Sequence, residues 1–241
     1  MNDYQQFSPS PTGTHIFSGI SFCVSSCVSS VVHSCRPPQE SSKKKESKFV
    51  IYKNIIDHDI LDKYLFLSKK YTEKDSKFGN IVQKNIKIRK DIFFRRDDSK
   101  LLDKIILNIL PKVEKEFGIK IKYRENYKLG KYYGDDKGFY NPHTDIQGFR
   151  EHRKISMIIC LSDENDYKGG IFKLVNLNKK FKLNKGDLLL FKSDLLHGVE
   201  PVTDGIRQVI ISFMWDEDSE KLRMKNYPNS KKKYQFNIQN Q

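Results

Sequence analysis

At Gly118 the spacing of the apolar residues changes, and that change limits the folds open to this chain. Before it, Leu101, Leu102, Ile105, Ile106, Ile109, Leu110, Val113 and Phe117 recur every three or four residues, a period that lays them along one face of a helix. Ser99 stands where an N-cap belongs and Gly118 where a left-handed C-cap residue belongs. A helix is therefore predicted over 100–117, kinked at Pro111, because proline removes a backbone donor and crowds the preceding turn. After Gly118, Ile119, Ile121 and Tyr123 alternate with lysines, and Tyr127 and Leu129 resume the pattern. Short apolar runs follow at 155–161, 171–175, 187–191 and 209–215, separated by turn signals at Gly134-Asp135-Asp136, Gly169-Gly170, Asn184-Lys185-Gly186 and Asp204-Gly205. Helices first and many short strands afterwards predict a mostly β, α+β chain, a sandwich or barrel with helices packed outside it.

Upstream, Phe49–Tyr52 has the β-branched and aromatic content of a strand, and Asp57 or Asp59 is placed to cap a helix running to about Tyr71. Residues 72–98 are polar and show no clear period. A chain of 241 residues suits one domain with an appendage. The domain is expected over 48–220, with a basic tail at 221–241 whose basic stretch, Lys221–Tyr234, closes on Lys231-Lys232-Lys233. Residues 1–47 are rich in Ser, Thr and Pro and hold Cys23, Cys27 and Cys35. They read as a disordered segment with a charged linker, or as a weak signal-anchor over 16–32. The loose spacing of these cysteines and His33 completes no tetrahedral zinc set. No run of about 20 apolar residues is present, so an ordinary transmembrane helix is not expected. The one remaining cysteine, Cys160, reads as a buried apolar residue. A domain with a single cysteine is compatible with a reducing compartment, and an intracellular setting is favoured. Net charge is +14, which suits encounter with polyanions but is equally explained by a lysine-rich composition.

Three of the histidines fall in the strand-rich half. In extended chain, residues i and i+2 project to one side, so His143 and Asp145 in Pro142-His143-Thr144-Asp145 can offer an imidazole and a carboxylate to one ion. His197, 52 residues beyond Asp145, is the candidate second imidazole. His152, set among Arg150, Glu151 and Arg153, reads instead as part of an exposed turn. Two histidines and one carboxylate on one face of an iron leave the remaining positions open. Arg207, ten residues after His197 and entering the most apolar strand, is suited to grip a carboxylate bidentately.

These stretches, in this order, resemble the catalytic domain of the iron(II)- and 2-oxoglutarate-dependent dioxygenases, in their prolyl and lysyl hydroxylase branch. The resemblance rests on Tyr127-Lys128-Leu129-Gly130 with Tyr132-Tyr133, on Tyr140-Asn141-Pro142-His143-Thr144-Asp145, and on Arg153-Lys154-Ile155-Ser156 with Tyr167-Lys168-Gly169-Gly170. It continues through Lys185-Gly186-Asp187 to Phe191 and from His197-Gly198-Val199 to Arg207, covering about 125–216. It implies a double-stranded β-helix of jelly-roll type. It further implies Fe(II) held by His143, Asp145 and His197, and 2-oxoglutarate held at its far carboxylate by Arg207. Tyr133, or alternatively Tyr132, would hydrogen-bond that cosubstrate, and Tyr140 would line the pocket or simply pack in the core. Dioxygen is the second cosubstrate and ascorbate an accessory reductant of such enzymes. The implied substrate is a prolyl or lysyl side chain in a protein or peptide, with release of succinate and CO2. Arginine at 207, where many prolyl hydroxylases carry lysine, leaves the target side chain open. A nucleic-acid oxygenase of the same superfamily is less favoured, because Phe213 stands where the DNA-alkylation-repair demethylases carry a second arginine. A non-catalytic jelly-roll module and a zinc hydrolase are the remaining readings.

Overall fold

In the computed structural model, which describes residues 46–77, 81–230 and 234–236, the first two elements form as predicted. Strand β1 is Phe49–Tyr52 and helix α1 is His58–Ser68. Asp57 caps α1, its carboxylate accepting from the Asp59 amide at 3.0 Å; this satisfies a first-turn donor that has no helical partner. The anchor, linker and zinc readings of the first 45 residues lie outside the described residues.

Helix α2, Lys100–Phe117, continues through Pro111, whose side chain is exposed. Gly118 closes it in the left-handed region with φ 67°. Ser99 does not cap it. It ends a short 3-10 turn, Asp97–Ser99, in helical conformation, and its hydroxyl donates back to the Arg95 carbonyl at 3.3 Å. Residues 72–98, featureless in sequence, supply β2 (Lys74–Asp75), β3 (Lys87–Ile88) and β4 (Lys90–Phe93). Beyond Gly118 come β5 (Tyr123–Arg124), β6 (Lys128–Tyr133), β7 (Phe139–His143), β8 (Ile155–Cys160) and β9 (Tyr167–Gly169). Then follow β10 (Phe172–Leu174), β11 (Lys179–Phe181), β12 (Leu188–Lys192), β13 (His197–Val199), β14 (Val202–Trp215) and helix α3 (Glu217–Asn226).

Two antiparallel sheets result. The major one runs β1-β12-β8-β14-β6-β4-β2, with β5 and β9 also on β14; the minor one runs β11-β10-β13-β7-β3. Because strand side chains alternate between faces, the major sheet separates two apolar clusters. On its outer face, Leu129, Ile159, Leu190 and Ile210 pack with Leu61 and Tyr64 of α1 and with Leu102, Ile106 and Phe117 of α2. On its inner face, Cys160, Phe191, Val209 and Phe213 meet Phe172 and Val199 of the minor sheet. This is a double-stranded β-helix of jelly-roll type with its helices outside, as expected.

Two expectations need correction. Strand β14 begins at Val202, not 209, and runs through Asp204-Gly205 instead of turning there. It pairs with β9 before it pairs with β6 and β8, and Gly205 makes the bend at φ 67°. The domain also does not end at 220. Helix α3 crosses that boundary, Arg223 on it is buried, and Phe236 is buried in the outer cluster. A buried ion pair ties helix to sheet: Arg124 donates to both oxygens of Asp103 at 2.7 and 2.5 Å, and the Tyr127 hydroxyl donates to Asp103 at 2.8 Å. Among the described residues no helix is long and apolar enough to cross a membrane.

Candidate active site

The minor sheet assembles the candidate metal ligands. His143 ends β7 and His197 begins β13, and the antiparallel register sets them directly opposite one another. Their ring centroids are 4.2 Å apart. Asp145 lies just past the end of β7, its amide donating to the Ser193 carbonyl at 2.9 Å and its carboxylate accepting from the Ser156 hydroxyl at 2.6 Å. One ligand atom from each of His143, Asp145 and His197 falls within 4.8 Å of the others. Each imidazole is oriented in the same way: Nδ1 of His143 lies 2.9 Å from the Asn141 carbonyl, and Nδ1 of His197 lies 2.9 Å from the Leu195 carbonyl. A carbonyl can only accept, so Nδ1 carries a proton and Nε2 is the nitrogen left to face a metal. Both Nε2 atoms face Asp145, at 3.6 and 3.3 Å.

The electrostatics suit a cation. Burial opposes ionisation of Asp145, yet His197, His143 and Arg153 hold its carboxyl well below the usual carboxylate range. Burial pushes the His197 imidazole down to about 4, against the pull of Asp145, so it is neutral near pH 7. Tyr140 stacks on His143 with centroids 3.5 Å apart and planes 20° apart. Phe191 meets His197 edge-on at 4.7 Å. These rings pack the two imidazoles within the cavity wall.

The ligands open into a cavity of ≈ 120 Å³ that Arg207 and Tyr132 also line. Arg207 is 2% exposed, faces Tyr132 across the β14–β6 pair, and holds its guanidinium carbon 5.2 Å from that ring. Among the described residues no carboxylate forms an ion pair with it. Tyr140 lines the cavity as expected, but Tyr133 does not. Its hydroxyl donates to Glu73 on the outer side, at 3.0 and 2.9 Å from the two carboxylate oxygens. Tyr132 occupies the inward position because it, and not its neighbour, is in register with Arg207. The expectation of Tyr133 in the cavity is thereby corrected to Tyr132, whose hydroxyl accepts from Arg89 at 3.2 Å. His152 is also not an exposed turn residue. It is 3% exposed, packed edge-on against Trp215 at 4.9 Å, and takes no part in the ligand cluster. Cys160 is buried as expected, its thiol near the carbonyls of Ser162 and Leu183.

Sequence reasoning missed the cationic wall. Lys87, Arg89, Lys128 and Arg153 all line the cavity. Arg89 is buried with Asp91, which accepts from it at 2.7 and 3.0 Å.

Residues 127–215 match the 2OG-Fe(II) oxygenase superfamily. That stretch is similar to the 2OG-Fe(II) oxygenases, and the fold around it is that of prolyl hydroxylase-like members. Over 85 residues the chain is 35% identical to a PKHD-type hydroxylase of Synechococcus sp. (strain CC9902), covering 34% of this chain and 36% of that protein. Over 138 residues it is 33% identical to a PKHD-type hydroxylase of Sphingopyxis alaskensis, covering 55% and 62%. For three such hydroxylases, from Synechococcus, Prochlorococcus marinus and Colwellia psychrerythraea, the aligned stretch spans 28–36% of their length. The fold is shared with a Trichoplax adhaerens prolyl hydroxylase, solved with a hypoxia inducible factor oxygen degradation domain peptide fragment. That comparison gives a TM-score of 0.62, 21% identity, and coverage of 73% of this chain and 86% of that one. A viral collagen prolyl hydroxylase from Paramecium Bursaria Chlorella virus-1, solved with 2OG, gives 0.55, 16%, 70% and 96%.

Within such a domain the family implies Fe(II), 2-oxoglutarate and dioxygen, and the donor set fits. Two imidazoles, each with Nδ1 against a backbone carbonyl, and one carboxylate are the ligand types of the 2-His-1-carboxylate site.

Proposed function

We propose that the protein is an Fe(II)- and 2-oxoglutarate-dependent dioxygenase that hydroxylates a prolyl or lysyl side chain of a protein or peptide, releasing succinate and CO2. The observation that carries this reading is the convergence of His143, Asp145 and His197 within 4.8 Å on a cavity that also holds a buried guanidinium without a carboxylate partner.

In this reading the Nε2 atoms of His143 and His197 and the carboxylate of Asp145 hold the metal. Ferrous iron with bound 2-oxoglutarate supplies, with dioxygen, the oxidising chemistry that places a hydroxyl on an unactivated carbon. The protein's part is orientation and exclusion of water. The Asn141 and Leu195 carbonyls keep each imidazole in one tautomer, and Ser156 fixes the carboxylate. Arg207 pairs with the far carboxylate of 2-oxoglutarate, and Tyr132 takes the place beside it. Phe172, Phe191 and Tyr140 pack against the two imidazoles, so the fixed dipoles act in a low-dielectric space.

A peptide target is supported by the Trichoplax neighbour, which was solved in complex with a peptide fragment, and by the hydroxylase relatives. Ascorbate belongs to the same reading as an accessory reductant. The test is a library of prolyl and lysyl peptides incubated with Fe(II) and 2-oxoglutarate, with and without ascorbate, and read by mass spectrometry. The expected result is a gain of one oxygen on a single residue type, matched by succinate. Succinate production that no peptide stimulates, beside a small molecule or oligonucleotide that does, would reject the peptide target.

A further inference from the structure

The wall of the cavity, to which β3, β6, β14 and the residues before β4 and β8 contribute, carries more basic side chains than the metal site and 2-oxoglutarate can use. Arg89 is matched by Asp91 and Ser76. Arg153 is matched by Glu125 at 2.6 Å, and Arg207 is assigned to the cosubstrate. Two lysines remain. Lys87 is 5% exposed; its ammonium donates to the Lys77 carbonyl at 2.6 Å and sits 4.5 Å from the centroid of Tyr140, the ring stacked on His143. Lys128 has a side chain 21% exposed and approaches Asp91 only to 3.9 Å, beyond hydrogen-bond range. Both oxygens of Asp91 are already taken by Arg89 and Ser76.

Burial, with Arg89 and Lys128 nearby, pushes the Lys87 ammonium down to about 6, and burial also lowers Lys128, against Asp91. The two side chains therefore share one recess, each raising the cost of charging the other. A buried ammonium without a hydrogen-bonded counter-charge is costly, and an anion brought to it by a ligand relieves that cost.

From this, and resting on the oxygenase reading above, we propose that the substrate carries a carboxylate close to the carbon that is hydroxylated and that Lys87 and Lys128 receive it. The carboxylate comes either from an acidic side chain beside the target residue or from the free α-carboxylate of a target at a chain end. The depth of Lys87 favours a slender carboxylate over a phosphodiester backbone, which brings sugars on both sides and needs exposed cations.

The test is peptide binding without oxygen, followed by fluorescence anisotropy on the protein loaded with Fe(II) and 2-oxoglutarate. Labelled prolyl and lysyl peptides are compared as twins: Asp against Asn or Glu against Gln beside the target, and a C-terminal target as free acid against amide. The acidic member of one twin set binds roughly tenfold or more tightly than its neutral partner, the scale of a charge-assisted contact. Which set discriminates names the source of the carboxylate. In Lys87→Met and Lys128→Met the ratio falls toward one; because it is taken within each variant, a general loss of affinity cancels. Equal binding of acid and neutral twins by the wild-type protein overturns the proposal, as does the absence of binding by every acidic peptide. The wild-type comparison decides even where a variant does not fold. Displacement of the acidic peptide by a shorter oligonucleotide at lower concentration reassigns the lysines to phosphate and also overturns it. Acid-selective binding by peptides that never gain a hydroxyl under oxygen sinks the hydroxylase reading alone.

Discussion

Each metal-facing imidazole is held by a carbonyl two residues earlier in its own chain, and Asp145 by a serine hydroxyl from β8. The carboxylate's aim therefore depends on Ser156. Removing that hydroxyl in Ser156→Ala is expected to weaken Fe(II) binding by roughly 10–100-fold, measured anaerobically by competition with a chelating dye. Unchanged affinity would show that backbone contacts alone fix Asp145. His143→Ala and Asp145→Ala are expected to abolish succinate formation, and retained turnover in either would show that other residues bind the metal. His152 makes a different contribution. Burial lowers its imidazole from the ordinary 6.5 to about 4, so between those values the unfolded chain binds more protons than the folded one. Its stabilising contribution is full above pH 6.5 and is lost as pH falls toward 4, roughly 3 kcal/mol in all. Urea midpoints at pH 7 and pH 4.5 should differ more for the wild-type protein than for His152→Phe; equal differences would place the acid sensitivity elsewhere. At this scale the ligands were legible because residue type and spacing carry coordination chemistry. His152 was not, because charged neighbours in sequence say nothing of Trp215, which reaches it from the far end of β14.

Among the elements, the Gly169-Gly170 turn at the end of β9 shapes the Arg207 end of the cavity. Gly170 lies at φ 62°, and a Cβ there would come within 2.9 Å of both Arg207 Cδ and Val202 Cγ2. Gly170→Ala therefore strains the backbone and pushes on the guanidinium that is assigned to 2-oxoglutarate. Its apparent KM for 2-oxoglutarate should rise several-fold with a smaller change in kcat, and an unchanged KM would remove the turn from that role. The sequence marked this turn but could not mark the wall facing it. Lys87, Arg89 and Asp91 point inward and Ile88 is the half-exposed member between them, which inverts the pattern by which a strand is normally read. Tyr132 and Tyr133 show the same limit: adjacent residues of one strand face opposite ways, and only pairing with β14 decides which enters the cavity.

At the scale of the molecule, α2 is fastened to the sheet by Asp103 and Arg124, both fully buried. Removing the carboxylate leaves a buried guanidinium without its charge, so Asp103→Ala should cost about 3–5 kcal/mol, read as a fall in urea midpoint. A loss within error of zero would mean that water or a neighbour takes its place. The layered jelly roll was legible from the order of helical and alternating segments; the C-terminal boundary was not. The lysines after Lys221 suggested a solvated tail, while the residues that anchor the segment, Arg223, Tyr234 and Phe236, are too scattered to form a period.

Strand β14 carries Val209, Ile211 and Phe213 toward the cavity with Arg207, and Ile210 and Met214 toward the helices. Chemistry and scaffold thus occupy opposite sides of a single ribbon, told apart only by odd and even position. A one-residue insertion or deletion within 206–214 would exchange those sides, moving the guanidinium into the helix-packed oil and an isoleucine into the cosubstrate's place. Variation in length at that strand is therefore closed to any active descendant of this chain, whereas substitution that respects parity remains open.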